Sequence, residues 1–456
     1  MEKLPCILTI AGSDSGGGAG IQADIKAISM LGGYAASVIT ALTAQNTAAV
    51  TGIHAPSPKF VALQLRTVIE DIRVDAAKTG MLFSEPIIKA IAPILSRKTF
   101  PLVVDPVCVA TSGSRLLKED AVEAMKQLIF PHADLLTPNL PEAELFTGLR
   151  INDREDVFKA ADLLLDMGPD AVLIKGGHSD SLAITDWYVA KGAEPIPFMQ
   201  RRVDTSATHG TGCTLSSAIA TGLGQGMEVG AAIKRAQAYL NLGLRAGYPL
   251  GEGGGPPNHL APWLKAEARA GVLRDIDHLG RVLMAEPDAG RLLPRVRSNV
   301  AIALPFADGS SEVAGFTGGL IAGFKGRLMA VGYPEFGASV YTAASLLAAR
   351  RLCPEASCAM TLAFTPPMER ALEAVGVECS FIDRTRKPDY IGNLGGEFEE
   401  WGVFEALKDH ARPESVRAVI DPGGTGCEPL VRVLGENAED LRSRVERIFK
   451  SLREIV

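Results

Sequence analysis

The chain has 456 residues, 47% of them hydrophobic and 22% charged, with a net charge of -7. That length exceeds one ordinary core and predicts two or three domains. The acidic balance, with a pI near 5.7, argues against a nucleic-acid-binding face, because phosphate backbones select for basic patches.

The opening MEKLPCILTIAGSDSG has too short an apolar run and too many early glycines for a signal peptide. No uninterrupted apolar stretch is long enough to span a bilayer, so no membrane role is expected. The seven cysteines are scattered and none pairs as C-x-x-C, which indicates neither a zinc site nor a disulfide frame. A reducing cytoplasm is the expected location.

PCILTIAG (5–12) reads as a buried strand, and GSDSGGGAGIQAD (12–24) follows it directly. Glycines there allow close backbone approach to a ligand, although a glycine run alone also fits a plain turn. Asp24 falls in the first turns of the next helix, IQADIKAISML (21–31), where it can meet a substrate hydroxyl or amino group, or simply the helix dipole. ASVITALTAQ (36–45) returns as a strand. FPLVVDPV (100–107), ADLLTPN (133–139) and DAVLIKGG (170–177) repeat the pattern, with helical spacing between them. Strand–helix alternation predicts a mostly parallel sheet with helices on both faces, and ligands beyond the carboxyl ends of its strands.

Polar residues just after strands are therefore the candidates. Asp105 in VVDPVC suits Mg2+, which takes few carboxylates together with phosphate oxygens; a loop-capping Asp ahead of Pro106 is the plain alternative. Asn139 and Glu142 in TPNLPEAELF are spaced as a helix cap, and Glu142 paired with Asp105 makes a second carboxylate for the metal. Lys175, after four apolar residues, can reach a transferring phosphate as a point charge. His178 fits an ordinary loop histidine equally well.

THGTGCTLS (208–216) then feeds the amides of Gly210, Thr211 and Gly212 toward a helix N-terminus, a ready anion site. Cys213 lies at the same positive end, where a thiol is expected to have a lowered pKa and to act as a base on an acceptor hydroxyl; a small packing residue is the plain alternative. PLGEGGGPPNHLAPW (249–263) breaks the pattern, a helical stretch follows to 286, and a second glycine-rich region runs to the end. The expected division is a first domain over 1–265, a helical connector over 266–284 and a second, smaller α/β domain over 285–456.

AGSDSGGGAGIQAD, TALTAQNT, KTGM, DPV, TPNLPEAE, IKGGH, THGTGCTLS and GGGPPNH, in that order, resemble the hydroxymethylpyrimidine and hydroxymethylpyrimidine phosphate kinases of the ribokinase-like superfamily. Sugar kinases of that superfamily usually have Gly-Ala-Gly-Asp where this chain has Gly-Thr-Gly-Cys. The resemblance implies two ATP-dependent phosphorylations in thiamine synthesis, with Mg2+, and a homodimer. It implies pyrimidine contacts at Gly12, Asp24, Gln45 and Met81. Asp105, Asn139, Glu142 and Lys175 then serve Mg-ATP and the phosphates, and Gly210, Thr211, Gly212 and Cys213 form the anion hole and base. A vitamin B6-type kinase, for pyridoxal or pyridoxine, shares the superfamily and the Gly-Thr-Gly turn and is the alternative.

RSNVAIA (297–303), EVAGFTGGLI (312–321), FGASVYTA (336–343), FIDRTRKPDY (381–390) and DPGGTGCEPLVRVLG (421–435) resemble the thiamine-phosphate synthase domain often fused behind this kinase. Leu320 and Tyr341 stand where that family usually has an arginine and a histidine, and Cys427 where it has a lysine. Arg384 and Lys387, with Tyr341, are the expected substitute phosphate site. A non-catalytic module that binds thiamine phosphate or a precursor is the competing reading, and lost synthase activity is the expectation.

Overall fold

The computed structural model describes residues 3–108, 119–176, 183–296 and 298–455. His178 and Arg297, from two of the stretches above, lie outside the described residues. The chain forms two compact units, Met1–Trp263 and Leu264–Val456.

In chain order the first unit has β1 (Cys6–Asp14), α1 (Gly20–Met30), β2 (Tyr34–Gln45), β3 (Val50–His54), α2 (Pro58–Asp71), β4 (Ala76–Thr79), α3 (Glu85–Leu95), β5 (Leu102–Val104), α4 (Glu119–Leu128), β6 (Leu135–Leu136), α5 (Leu140–Thr147), α6 (Arg154–Asp166), β7 (Ala171–Ile174), β8 (Ala183–Ala190), β9 (Ile196–Arg201), α7 (Thr211–Gly224) and α8 (Val229–Arg245). One sheet holds its strands in the order β3-β2-β1-β4-β5-β6-β7-β8-β9. The strands from β2 to β7 are parallel neighbours. β3, β8 and β9 extend the two edges antiparallel.

The apolar runs are short and continuous because both faces of these strands are covered. Leu102 and Val104 join one core with α2 to α6, while Val103 between them joins the other with α1, α7 and α8. Strand β5 is shorter than the apolar run that marks it: Pro101 and Pro106 flank it, and proline cannot donate to a ladder.

The order of strands creates the site. From β1 the chain crosses to β2 on one side; after β3 and α2 it returns to β4 on the other side. The space between β1 and β4 is a topological switch point, where a crevice opens at the carboxyl ends. Gly12 and Met81 flank it.

Helix α9 (Ala261–Ala285) crosses the division between the units. The second unit then has β10 (Val300–Ala303), β11 (Val313–Phe316), β12 (Gly319–Ala322), β13 (Leu328–Val331), β14 (Pro334–Phe336), α10 (Val340–Arg350), β15 (Cys358–Ala363), α11 (Pro366–Val375), β16 (Cys379–Phe381), α12 (Gly396–Lys408), β17 (Ala418–Asp421), β18 (Leu430–Gly435) and α13 (Ala438–Ile455). Its main sheet runs β14-β11-β10-β15-β18-β17-β16, with β12 and β13 as a separate hairpin. It is also α/β, but its strands pair antiparallel except for β16 with β17. Helices α9, α11 and α13 cover one face, and α10 and α12 the other.

Candidate active site

A cavity of about 640 Å³ opens at the carboxyl ends of the first unit's strands. Gly12, Gln45, Met81, Asp105, Asn139, Glu142, Lys175 and the turn Gly210–Cys213 all line it. Of the residues expected at the kinase site, only Asp24 does not.

The loop after β1 is organised by Asp14, which the sequence reading did not single out. Its carboxylate accepts the amides of Gly16 (2.8 Å), Gly18 (3.0 Å) and Ala19 (2.8 Å), and lies 3.0 Å from His209 Nε2. Burial raises this carboxyl, but the bonds from His209 and from the amides of Ala19 and Gly16 outweigh it and hold it below the usual carboxylate range. Gly18 of the run is required by contact: a Cβ there would fall 2.2 Å from the His209 ring, whereas one on Gly12 would meet only the mobile end of Met81, at Cε.

The second glycine turn meets the first. Gly210 caps α7 with φ 81, left-handed backbone that glycine takes without strain. A Cβ there would fall 1.9 Å from the Gly18 carbonyl oxygen. No side chain caps α7; of its first amides, that of Thr211 meets the Thr208 carbonyl only at 3.4 Å. Such an end binds anions through unsatisfied N–H groups and the helix dipole.

Beside this turn stands a charged cluster. Lys175 Nζ lies 3.0 Å from Asp105 Oδ1, and Ser216 Oγ donates to Asp105 Oδ2 at 3.2 Å. A Cβ on Gly212 would lie 3.4 Å from Asp105 and 3.5 Å from Lys175, so the turn runs directly over the pair. Glu142 forms a complete capping box with Asn139: its amide donates to Asn139 Oδ1 (2.8 Å), and its Oε2 accepts the Asn139 amide (2.9 Å). Glu142 is thus a helix cap that also lines the cavity. Burial pushes its carboxyl up to about 7, with Lys175 opposing and Asp105 reinforcing the rise. Burial pushes the Lys175 ammonium down, but Asp105 and Glu142 outweigh it and keep it charged.

Two expectations are corrected here. Asp24 is fully buried beneath the cavity and accepts both oxygens' bonds from within the protein. Lys78 Nζ donates to each at 2.9 Å, and Thr9 Oγ1 donates to Oδ2 at 2.6 Å. A carboxylate so occupied is structural and does not reach a ligand directly. Cys213 lines the cavity, but its thiol is not the lowered one expected of a helix N-terminus. Burial pushes it up to about 11; Lys78 opposes this, and Asp24 and Asp105 reinforce it.

Sequence reasoning missed Asp14, Lys78, His209 and Ser216. Asp14 and His209 lie within the two quoted glycine motifs. Lys78 in DAAKTGM carried the signal that flagged Lys175, a lysine after buried apolar residues. Among the described residues, no group of three or more His, Cys, Asp or Glu is arranged to hold a metal. Mg2+ needs only one or two carboxylates with phosphate oxygens, a donor set that Asp105 and Glu142 fit.

In the second unit the residues expected at a phosphate site have partners within the protein or are exposed. Arg384 places Nε and Nη2 on the two oxygens of Asp421 at 2.6 Å each, a bidentate pair that occupies its fork. Lys387 donates to the carbonyls of Pro388 and Ile391. Tyr341, in the first turn of α10, is exposed. Leu320 is buried in the apolar core of the unit. Arg432, buried like Asp421, pairs with Glu399 at 2.8 and 2.6 Å, which was not foreseen.

A parallel sheet with a switch-point crevice, two apposed glycine turns and a lysine–carboxylate cluster at an open helix N-terminus define a ribokinase-like small-molecule phosphotransferase. Comparison with known proteins agrees. Residues 14–258 match the family model for phosphomethylpyrimidine kinase, and residues 275–447 match that for thiamine-phosphate synthase ThiN. The chain belongs to the phosphomethylpyrimidine kinase family and carries the ThiN domain behind it. The thiamine biosynthesis bifunctional protein ThiED of Geobacter sulfurreducens is 51% identical over 258 residues, which is 56% of this chain and 52% of that one. The hydroxymethylpyrimidine/phosphomethylpyrimidine kinase of Streptomyces coelicolor is 44% identical over 56% of this chain and 94% of its own length. A solved structure of pyridoxal kinase from Staphylococcus aureus, in complex with AMP-PCP and pyridoxal, superposes with a TM-score of 0.52 and 33% identity, over 57% of this chain and 95% of that one. Among the described residues, no helix is long and apolar enough to cross a membrane.

Proposed function

We propose that the first unit, over residues 1–265, phosphorylates the hydroxymethyl group of 4-amino-5-hydroxymethyl-2-methylpyrimidine and then the resulting monophosphate, supplying the pyrimidine pyrophosphate for thiamine synthesis. The observation that carries this reading is one cavity lined by both glycine turns, the Asp105–Lys175 pair and Gln45. Gln45 offers a donor and an acceptor suited to an aminopyrimidine edge.

In this reading the amides of the Gly210–Gly212 turn and Lys175 stabilise the charge on the transferring group, while Asp105 and Glu142 hold Mg2+. When bound, Mg-ATP supplies the phosphoryl group. Phosphoryl transfer depends more on positioning and charge stabilisation than on a strong base. Cys213 orients the acceptor hydroxyl and removes its proton through the small thiolate fraction that its raised pKa leaves at neutral pH. Gly12 and Met81 wall the pyrimidine. We also propose a homodimer, tested by light scattering, and a cytoplasmic location.

The pyridoxal kinase alternative rests on the shared fold; the family match and the curated relatives favour the pyrimidine. For the second unit, the occupied fork of Arg384 and the buried Leu320 support a non-catalytic reading, and the match to thiamine-phosphate synthase ThiN supports thiamine phosphate or a precursor as what it binds. The deciding assay supplies hydroxymethylpyrimidine or pyridoxal with Mg-ATP and thiazole phosphate, and detects each product separately. Pyrimidine pyrophosphate without thiamine phosphate supports both readings. Thiamine phosphate overturns the binding-module reading, and turnover of pyridoxal alone overturns the pyrimidine reading.

A further inference from the structure

Lys175 carries its charge on a flexible four-carbon stem, so its reach depends on how its backbone is held. That backbone is pinned on both sides. The Lys175 amide donates to the Pro138 carbonyl at 2.9 Å, and the next amide, of Gly176, donates to Asp186 Oδ1 at 2.9 Å. The two bonds fix the peptides on either side of the Lys175 Cα, and so the direction in which its side chain leaves the strand. Gly176 also runs so close to β8 that a Cβ on it would fall 2.1 Å from the Thr185 carbonyl oxygen. Asp186 in turn is held by α8: its Oδ2 accepts from Gln237 Nε2 at 2.7 Å. A carboxylate only accepts, so Gln237 must offer it the nitrogen. Asp186 and Gln237 are both buried, and Asp186 lines the cavity together with Leu240, Asn241 and Leu244 of α8. At its far end the Lys175 ammonium is held by Asp105, the carboxylate given above to Mg2+. An ammonium that turns from Asp105 to a phosphate keeps its place through its backbone.

We infer that Asp186 is a positioning residue for Lys175: with the Gly176 amide on one oxygen and Gln237 on the other, it ties the end of β7 to α8 and holds the lysine where the phosphoryl group passes. The inference rests on the proposed kinase reading but not on which acceptor is used.

The test is a double-mutant cycle of Asp186→Ala and Lys175→Met, run with whichever of hydroxymethylpyrimidine and pyridoxal the wild type phosphorylates. Failure of the pyrimidine reading thus shows in the wild type and still leaves the cycle informative. Asp186→Ala is expected to lower kcat about tenfold or more, since a small misplacement at the reacting centre costs up to about a hundredfold, with KM for the acceptor within about twofold of wild type. In the Lys175→Met background the same substitution should cost less than about twofold, because its effect runs through the lysine. Asp186→Asn should recover kcat to within about threefold of wild type: its carboxamide oxygen still accepts from Gly176, and its nitrogen donates to the oxygen of a turned Gln237 amide. An unchanged kcat, equal losses with and without Lys175, a rise in acceptor KM as large as the fall in kcat, or an Asp186→Asn variant as slow as Asp186→Ala overturns the inference and leaves Asp186 a packing residue. If Asp186→Ala does not fold, Gln237→Met decides through the same cycle. It unties Asp186 from α8 and should lower kcat about threefold, the effect of one hydrogen bond, only where Lys175 is present.

Discussion

Replacing Lys78 with methionine isolates the buried pair beneath the cavity. Both side chains of the Asp24–Lys78 pair are wholly inaccessible, and the ammonium bonds each carboxylate oxygen at 2.9 Å. In Lys78→Met, Asp24 keeps only the Thr9 hydroxyl. Removing one partner of a buried ion pair costs about 3–5 kcal/mol, because an uncompensated charge is left in the interior. For a unit of this size each kcal/mol lowers Tm by about 2–4 °C, so the first unit should melt roughly 6–20 °C lower. The loss carries a pH signature. Burial already pushes the Asp24 carboxyl up, and Lys78 opposes it; without Lys78 the folded carboxyl keeps its proton well above pH 4, whereas the unfolded one releases it there. The unfolded state then binds fewer protons, so stability falls as pH rises, and the penalty must be smaller at pH 5 than at pH 8. Calorimetry at both pH values, with Asp24→Asn/Lys78→Met as the neutral pair, measures this. A drop below about 1 kcal/mol, a penalty larger at pH 5, or a double variant no better than the single one refutes the reasoning.

Other outcomes follow from single features of the site. Glu142→Gln should gain stability relative to wild type as pH rises from 5 to 8. A carboxyl held near 7 in the fold costs stability that is absent at low pH and fully present above its folded pKa, so the difference in Tm must grow with pH. Gly210→Ala should lower stability by about 2 kcal/mol or more, because strained backbone adds to a contact with the Gly18 carbonyl; thermal melts and turnover should fall together. Cys213 alkylation, followed by peptide mass spectrometry, should rise about tenfold per pH unit from 7 to 9 without a plateau, and Cys213→Ala should lower kcat strongly with little change in KM for ATP. A plateau below pH 8 would show a thiolate already formed. In the second unit, Leu320→Arg with Tyr341→His should lower Tm rather than create synthase activity, because the guanidinium would enter an apolar core; thiamine phosphate formation by a stably folded double variant would reverse that assignment.

Much of the site was legible from residues alone. A buried strand followed by a polar residue marks the carboxyl edge of a parallel sheet, and that rule singled out Asp105, Asn139 and Lys175, which line the cavity, without knowledge of strand order. The Gly-Thr-Gly turn announced an anion site because glycine and a helix start are local features. What sequence could not weigh is desolvation. Asp24 and Cys213 look alike in sequence: each is a reactive group near a helix start. Only packing reveals that Asp24 is sealed against Lys78, 54 positions away, and that the Cys213 thiol is raised rather than lowered. The same holds for Arg384, whose charge is spent on Asp421, and for Leu320, whose burial depends on a whole sheet and its helices. Sequence by itself determined the strand–helix alternation, the glycine turns and the identity of the charged groups, because these depend on neighbours along the chain. Tertiary structure decided which charges face the cavity and which face each other, because burial and ion pairing are set by residues far apart in sequence.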